Sequence, residues 1–216
     1  RASLNNEPIK IGMSSSIPQI DFSPFLEGHE AGKKQVASQI GKACREIGFF
    51  TLTDHGVSLK LIQRVFDANR EFHQQPLEEK EEILISHSAH HRGYHPFSAE
   101  ATDPNAKPDL KEAFDMALEL PLDDPDVKAG KPFHGPNVWP RNPPQFRKTL
   151  EEYYQALLLL GEQICRCFAL DLELDENYFV DKHSKPLAQL RLLHYPELDM
   201  SRPVSYTHLR AHETQR

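Results

Sequence analysis

Apolar residues recur every three or four positions in three stretches of the chain, which is the spacing of an amphipathic helix with one face on a core. The first stretch covers Lys33–Ile47 and ends before Gly48, and the second follows Ser58, a residue type that caps helices. The third covers Gln145–Leu170 and contains no proline, so it predicts the long scaffold helix of the domain. Its apolar face consists of Phe146, Leu150, Tyr153, Leu157, Leu160, Ile164 and Cys167.

The two shorter helices are each predicted to bury one stripe of side chains. The first stripe consists of Val36, Ile40, Ala43, Cys44 and Ile47, and the second of Ile62, Val65, Phe66, Asn69 and Phe72. Pro76 suits the first turn of a further, acidic helix that runs toward Leu84. Its glutamates predict a solvated face; they are Glu78, Glu79, Glu81 and Glu82.

Three short apolar runs predict strands. Phe49–Thr53 is aromatic and β-branched, which indicates a buried strand, and the Asp54–Gly56 turn after it is assigned a capping role. The other two runs are Lys111–Leu118 and Leu187–Tyr195. Ten of the seventeen prolines fall within Pro96–Pro144, so long loops are expected there. Helices and strands are mixed without internal repeats, which indicates an α+β fold.

The composition suits a folded protein and excludes two classes of partner. The 216 residues (24.7 kDa) are 38% hydrophobic and 26% charged, enough for a buried core. The longest aliphatic stretch, Ala156–Leu160, is far shorter than the roughly 20 apolar residues of a membrane span. A net charge of -7 would repel a phosphate backbone. We therefore expect neither a nucleic-acid nor a membrane partner and, since the N-terminus lacks a secretion signal, a cytoplasmic location.

The cysteines and one group of histidines are the candidate metal ligands to consider. Cys165 and Cys167 form a C-x-C on the predicted scaffold helix and point to different faces, so we expect reduced structural thiols, and the same for Cys44. Four histidines stand close together beside Gly93 and Pro96, where solvated loop side chains are expected; they are His87, His90, His91 and His95.

Both ends of the chain differ in character from the rest. Residues 1–12 precede Met13, the first methionine, and are expected to be upstream translation. Residues 203–214 resemble the translation of a transposase-type sequencing adapter, which agrees with every residue from Val204 to Glu213 in one reading frame. We therefore expect residues 203–216 to be an artefact. His208 and His212 have the spacing of zinc ligands on a helix, but we do not interpret them as a zinc site.

Six motifs follow one another in a recognisable order along residues 17–198. They are IPQIDFSPF at Ile17–Phe25, CREIGFFTLTDHGV at Cys44–Val57, RGYHPF at Arg92–Phe97, KEAFDM at Lys111–Met116, GPNVWP at Gly135–Pro140 and LRLLHYP at Leu190–Pro196. In this order and spacing, the chain resembles the N-terminal part of the isopenicillin N synthase-like family of non-haem iron oxygenases. Most members of that family are Fe(II)- and 2-oxoglutarate-dependent dioxygenases.

The resemblance implies N-terminal helices and a long scaffold helix around a double-stranded β-helix (jelly roll), here truncated. Residues 13–144 correspond to the non-haem dioxygenase N-terminal region, and residues 145–202 to the scaffold helix and the first strands of the jelly roll. The family holds iron through a His-x-Asp/Glu pair and a distal His, and it oxidises a small organic molecule with O₂ and 2-oxoglutarate. Hydroxylation, desaturation or ring closure can result, and one subtype uses O₂ without 2-oxoglutarate.

The iron-binding motif of the family is missing from the sequence. None of the twelve histidines is followed two positions later by Asp or Glu. In the family, this pair comes after the LRLLHYP strand, in the part that adapter-like residues replace here. We therefore expect an inactive fragment with no catalytic residue and no metal ligand, which binds neither Fe(II) nor 2-oxoglutarate, whereas the full-length parent uses both. The alternative is a non-catalytic binding or interaction module derived from the oxygenase fold.

Three residues match positions that contribute to ligand binding in the family. Tyr195 corresponds to the tyrosine before the first iron ligand, whose hydroxyl can donate to the 2-oxoglutarate carboxylate; a core tyrosine at a strand end is the alternative. Leu193 stands where several members have Asn. Arg92 and Tyr94 correspond to positions that bind substrate near the mouth of the pocket, and arginine pairs well with carboxylates. For Arg92, a surface loop residue is the alternative.

Overall fold

A computed structural model describes residues 16–98 and 109–197. The described part divides into two units: the first comprises residues 16–56 and 163–180, and the second comprises residues 57–98, 109–162 and 181–197. The expectations for residues 1–12 and 203–216 lie outside the described residues. No helix of the described part is both long and apolar enough to span a bilayer.

The first unit contains two short parallel strands and the helices between them. Strand β1 (Gln19–Asp21) is followed by helix α1 (Ser23–Leu26), helix α2 (Glu30–Glu46) and strand β2 (Thr51–Thr53). The two strands pair in parallel, with Ile20 opposite Leu52. The buried side chains of these elements include Phe22, Phe25, Val36 and Ile40. The C-terminal end of α6 (Phe146–Asp171) also belongs to this unit, and Arg45 of α2 forms an ion pair with Asp171.

The second unit is built on a three-stranded antiparallel sheet. Its strands are β3 (Gly93–His95), β4 (Glu112–Ala117) and β5 (Gln189–His194), with β4 in the centre. Its helices are α3 (Leu59–His73), α4 (Leu77–Glu81), α5 (Pro125–Lys128) and the N-terminal part of α6. Two short 3₁₀ turns complete the described elements, at Ile85–His87 and Val180–Lys182.

One face of this sheet packs on helices α3 and α6. Alternate residues of a strand point to opposite faces, and Phe114, Met116 and Leu192 all belong to the core cluster. The ring of Phe72 on α3 stacks on Phe146 of α6 at 4.9 Å. The buried members of the cluster are Val65, Ala68, Phe72, Tyr94, Phe114, Met116, Phe146, Leu150, Tyr154 and Leu192. Burial of this apolar surface is the main stabilising contribution in the second unit.

The predicted α+β class and most of the predicted elements are confirmed. The three periodic stretches form α2, α3 and α6, and the predicted strands Lys111–Leu118 and Leu187–Tyr195 form β4 and β5, each shorter by a residue or two at its ends. The predicted acidic helix is shorter than expected, since α4 ends at Glu81. Its four glutamates are exposed as predicted. Ser58 does precede α3, but its side chain makes no capping hydrogen bond.

Four side chains predicted to be buried are exposed. The strand expected at Phe49–Thr53 begins only at Thr51, which is itself exposed, and Phe49 is 70% exposed. Cys44 and Phe66 are also exposed, although both belong to predicted stripes. Consecutive helical residues are about 100° apart around the axis, so Cys44 and Phe66, each directly after a buried residue, fall at the margin of their stripe. Periodicity identified the buried face correctly but overestimated its width.

Candidate functional site

Tyr195 directly follows β5 and is 64% exposed. The two residues before it are held by side chains of other elements. The amide of Asn69 on α3 donates to the carbonyl oxygen of Leu193 at 3.1 Å, and Nδ1 of His194 lies 2.8 Å from Oε1 of Glu112. The phenol of Tyr195 is therefore presented to solvent at the end of an anchored strand. The core-tyrosine alternative is wrong for this structure, and the cosubstrate-binding role stays a prediction.

A buried carboxylate organises the sheet face that lies opposite the core cluster. Asp115, in the middle of β4, is opposite Arg191 of β5, whose Nε and Nη2 each lie 2.7 Å from one oxygen of the carboxylate. Nε2 of His95 lies 2.7 Å from the same carboxylate, and the amide of Gln189 donates to it at 2.7 Å. Burial raises the pKa of Asp115, but the hydrogen bonds with His95 and Arg191 outweigh this and leave the pKa below its ordinary value.

The position of His95 corrects the sequence-based expectation. The sequence predicts a solvated loop histidine, like His87, His90 and His91, but His95 lies in β3 and is buried beside Asp115. The reason is long-range strand pairing, which places His95 opposite Ala113. Asp115 and Arg191 were not singled out at all; the only available signal was a charged residue at the centre of each predicted strand.

A second buried carboxylate lies on the helix-facing side of the sheet. Glu112 accepts hydrogen bonds from Nζ of Lys80 at 2.7 Å and from the hydroxyl of Tyr94, in addition to its contact with His194. Lys80 is buried although it stands among the exposed glutamates of α4. Burial raises the pKa of Glu112, but the bonds from Lys80, Tyr94 and His194 together hold it below the ordinary value. This carboxylate therefore stays ionised and links α4, β3 and β5.

Tyr94, predicted to bind substrate, is fully buried in this network. Burial, followed by its hydrogen bond to Glu112, raises the pKa of its phenol well above the ordinary value. The phenol is therefore neutral and acts as a hydrogen-bond donor to Glu112. A substrate-binding role for Tyr94 stays a prediction, since in this conformation the hydroxyl is already engaged.

His73, at the end of α3, completes this region. Its Nδ1 lies 2.9 Å from the carbonyl oxygen of Asn69, and its ring centroid is 5.2 Å from that of His194. Its Nε2 is buried and has no hydrogen-bond partner among the described residues. Burial lowers the pKa of His73 to about 4, so the ring is neutral at physiological pH.

Arg92 is not a surface residue, since it is only 2% exposed. Its Nη1 donates to the carbonyl oxygens of His90 at 2.6 Å and His91 at 3.2 Å, and its Nη2 donates to that of Phe133 at 2.8 Å. Its side chain also lines a cavity of about 270 Å³. The surface alternative is therefore wrong, and the predicted substrate-binding role of Arg92 stays a prediction.

The described residues do not fit an iron centre. In residues 16–98 and 109–197, no group of three His, Cys, Asp or Glu side chains is arranged to hold a metal ion. His95 and Asp115 lie side by side, but their side chains are bonded to each other and the carboxylate is shared with Arg191. None of the three cysteines, all within the described residues, forms a disulfide, and burial raises the pKa of Cys167 to about 12, so it is a neutral thiol.

Comparisons with known proteins find matches over most of the chain. Residues 17–142 match the family model described as the N-terminal region of a non-haem dioxygenase in morphine synthesis. The 2-oxoglutarate-Fe(II) type oxidoreductase hxnY of Emericella nidulans is 35% identical over 182 residues, which cover 83% of this chain and 52% of that relative. The 2-oxoglutarate-dependent dioxygenase citB of Monascus ruber is 35% identical over 195 residues, 88% of this chain and 58% of that relative.

A solved structure gives the same result at the level of the fold. A full-length protein of Neurospora crassa, determined in complex with alpha-KG, superposes with a TM-score of 0.68 at 30% identity. The superposition covers 83% of this chain and 54% of the Neurospora protein. The chain thus spans little more than half the length of the relatives it matches. It belongs to the family of non-haem, Fe(II)- and 2-oxoglutarate-dependent dioxygenases, whose N-terminal region it carries.

Proposed function

We propose that the whole protein is an Fe(II)- and 2-oxoglutarate-dependent oxygenase that oxidises a small organic molecule with O₂, by hydroxylation, desaturation or ring closure. The observation that carries this proposal is the family match over residues 17–142, together with relatives that are named 2-oxoglutarate-dependent enzymes. In this proposal, residues 145–202 contribute the scaffold helix and the first strands of a jelly roll, of which β5 is described.

The 216-residue chain by itself is proposed to be inactive. The sequence contains no His-x-Asp/Glu pair, and the described residues contain no alternative group of metal ligands. Since the residues present do not fit iron, no step of the reaction is assigned to this chain. What the chain contributes is positioning: a folded sheet with two satisfied buried carboxylates, Glu112 and Asp115, which fix the strand that leads to Tyr195.

Within the whole enzyme, Tyr195 is proposed to donate its hydroxyl to a carboxylate of 2-oxoglutarate. Its exposure and the anchored strand end before it support this role. A phenol donates one hydrogen bond, and a bond to a carboxylate contributes about 1.5–3 kcal/mol. Loss of the hydroxyl should therefore weaken cosubstrate binding by roughly one to two orders of magnitude.

The proposal is tested by resequencing the gene from its source across the codon of Arg202 and assaying the encoded protein. Native sequence with His-x-Asp/Glu and a later His should follow, and the protein should consume O₂ and form succinate only with 2-oxoglutarate. Tyr195→Phe should raise KM for 2-oxoglutarate at least about tenfold, whereas Tyr178→Phe, a change at an exposed tyrosine of the first unit, should not. Two results would favour the non-catalytic binding module instead: native sequence that lacks the His-x-Asp/Glu pair, or proof that Val204–Thr214 is genuine coding sequence.

A further inference from the structure

Helix α3 carries a second row of apolar side chains, on a side of the helix other than the buried one. Leu59 is 78% exposed, Phe66 is 61% exposed and Ile62 between them is partly buried. Their spacing of three and four residues places them on one side of the helix. The buried side chains Val65 and Phe72 lie on a different side. Single exposed apolar residues are common, but a continuous row on one element indicates a surface that another molecule covers.

We infer that this row docks a second copy of the chain, with the two α3 helices antiparallel and related by a two-fold axis. Phe66 is the middle residue of α3, seven positions from Leu59 and seven from His73. Full antiparallel overlap therefore places the Phe66 rings of the two copies against each other, where offset or edge-to-face contact is favourable. Leu59 of one copy then lies over the C-terminal half of α3 in the other copy. In that half, Asn69 is bonded to the carbonyl of Leu193, whose side chain is 40% exposed.

Two exposed charges at the ends of α3 favour this arrangement. Lys60 is in the first turn and Glu71 is in the last, and neither forms an ion pair within the described part of the chain. Each opposes the helix dipole, which favours acidic groups at the N-terminus and basic groups at the C-terminus. The two residues are eleven positions apart, about three turns, so they lie on the same flank of the helix. In the antiparallel pair, Lys60 lies level with Glu71 of the other copy, and symmetry provides this contact twice.

The charge pattern selects a second copy over an unrelated helix or a parallel pair. The other charges beside the row are compensated within one copy, since Arg64 pairs with Glu152 and Arg70 pairs with Asp67. A uniformly acidic or uniformly basic partner would complement only one end of α3. A parallel pair of α3 helices would bring like charges together at both ends, which destabilises neighbouring helices. The antiparallel second copy complements both ends at once.

The length of α3 determines how strong this contact can be. Its 15 residues extend over about 22 Å, and packed helices lie about 8–10 Å apart. One such helix pair is at the low end of the size of specific interfaces, which bury about 1,000 Å² or more in total. We therefore expect a reversible dimer with a dissociation constant in the micromolar range, weakened by salt because its charges are exposed.

This inference goes beyond the proposed function and does not rest on it. No residue of the row is assigned a part in binding 2-oxoglutarate or a substrate, and self-association is measured without iron or turnover. An inactive full-length protein would leave the dimer unaffected, and a monomeric chain would leave the proposed oxygenase activity unaffected.

The test is sedimentation velocity of the 216-residue chain at concentrations from about 1 to 200 μM, where we expect a monomer–dimer equilibrium. Phe66→Gln, which removes the ring at the two-fold axis, should weaken the dimer at least about tenfold. The matched control is Phe49→Gln, at a phenylalanine of the first unit that is 70% exposed, and it should leave the dissociation constant unchanged. A chain that stays monomeric, or that associates equally well after Phe66→Gln, overturns the inference.

A charge exchange tests the antiparallel geometry. At low salt, Lys60→Glu should weaken the dimer at least about threefold, because it places two glutamates level with each other at each end. Adding Glu71→Lys should restore the affinity to within about twofold of that of the parent chain. Lys42→Glu, which makes the same change in charge at an exposed lysine of α2, should have no such effect. A double variant that dimerises no more tightly than Lys60→Glu contradicts the geometry.

The full-length protein shows what covers this side of α3 in the whole molecule. We expect it to dimerise with the same dependence on Phe66 as the 216-residue chain. If the full-length protein is monomeric while the 216-residue chain dimerises, the rest of the polypeptide covers the row instead. That outcome also overturns the inference.

Discussion

Glu112 and His194 are opposite residues of the β4–β5 ladder, and their side chains are joined by a contact of 2.8 Å between Oε1 and Nδ1. The second oxygen of Glu112 accepts from Lys80 and Tyr94. One carboxylate of β4 thus links strands β3 and β5 to helix α4. In the proposed enzyme, the strand that it fixes leads directly to Tyr195.

Glu112→Gln should lower the free energy of unfolding by about 3 kcal/mol, because it leaves the buried ammonium of Lys80 without a counter-ion. Urea unfolding followed by circular dichroism measures the change. The matched control is Glu151→Gln, which breaks an exposed pair with Arg147 and should cost less than about 0.5 kcal/mol. Equal effects of the two substitutions would show that Glu112 does not anchor the sheet.

His73 should make the free energy of unfolding depend on pH at values above those at which carboxylates titrate. Burial lowers its pKa from 6.5 to about 4, so the unfolded chain takes up this proton at a higher pH than the folded chain does. The contribution of His73 is therefore complete above about pH 6.5 and is lost as the pH falls toward 4. Between pH 7.5 and 5, the expected loss from this residue is about 2 kcal/mol.

The measurement is the midpoint of urea unfolding at a series of pH values for the parent chain and His73→Leu. The variant should lose about 2 kcal/mol less than the parent between pH 7.5 and 5, since leucine does not titrate. His87→Leu, at an exposed histidine, should keep the pH dependence of the parent. If the His73 variant and the parent have parallel profiles, the imidazole is not buried in its neutral form.

The same network shows what the sequence could and could not predict. The sequence predicts the stripes of α2, α3 and α6 and the short apolar run of β4, because such patterns are local properties of the chain. It does not predict the burial of Lys80, because its neighbours are all acidic and its partner Glu112 is 32 residues away. The sequence predicts a solvated His95, and offers a surface position as the alternative for Arg92, for the same reason: Gly93 and Pro96 indicate a loop, and the pairing of β3 with β4 is non-local.

Asn137 should be more important for stability than a loop asparagine usually is. Its Oδ1 accepts from the backbone N–H of Ala117 at 2.9 Å, and its Nδ2 donates to the carbonyl of Ala117 at 2.8 Å. The side-chain amide thus replaces a neighbouring strand at the end of β4. Asn137→Ala leaves both buried backbone groups unpaired, so we expect a loss of about 2–3 kcal/mol in urea unfolding.

A second substitution separates this pairing from simple loss of packing. Asn137→Asp has nearly the same shape, but it cannot donate to Ala117 and places a carboxylate beside Glu119. It should be at least as destabilising as the alanine variant at pH 7 and should recover part of the loss on acidification, as the new carboxyl takes up a proton. The control is Asn177→Ala at an exposed position, with an expected effect within about 0.5 kcal/mol. A neutral effect of Asn137→Asp would contradict the pairing.

Substitutions of Asp115 and of its partner Arg191 should lower the free energy of unfolding by different amounts. The side chain of Asp115 is 1% exposed and that of Arg191 is 34% exposed. Asp115→Asn removes the counter-charge of Arg191 and replaces the carboxylate that bonds His95, so we expect a loss of about 3 kcal/mol in urea unfolding. Arg191→Gln leaves Asp115 in contact with His95 and Gln189 and should cost about 1–2 kcal/mol.

The control is Asp67→Asn, at an exposed pair with Arg70, which should change the free energy of unfolding by less than about 0.5 kcal/mol. A larger loss for Arg191→Gln than for Asp115→Asn would mean that the guanidinium, and not the carboxylate, organises this face. The reason is that removing one partner of an ion pair costs less when other groups still bond the partner that remains.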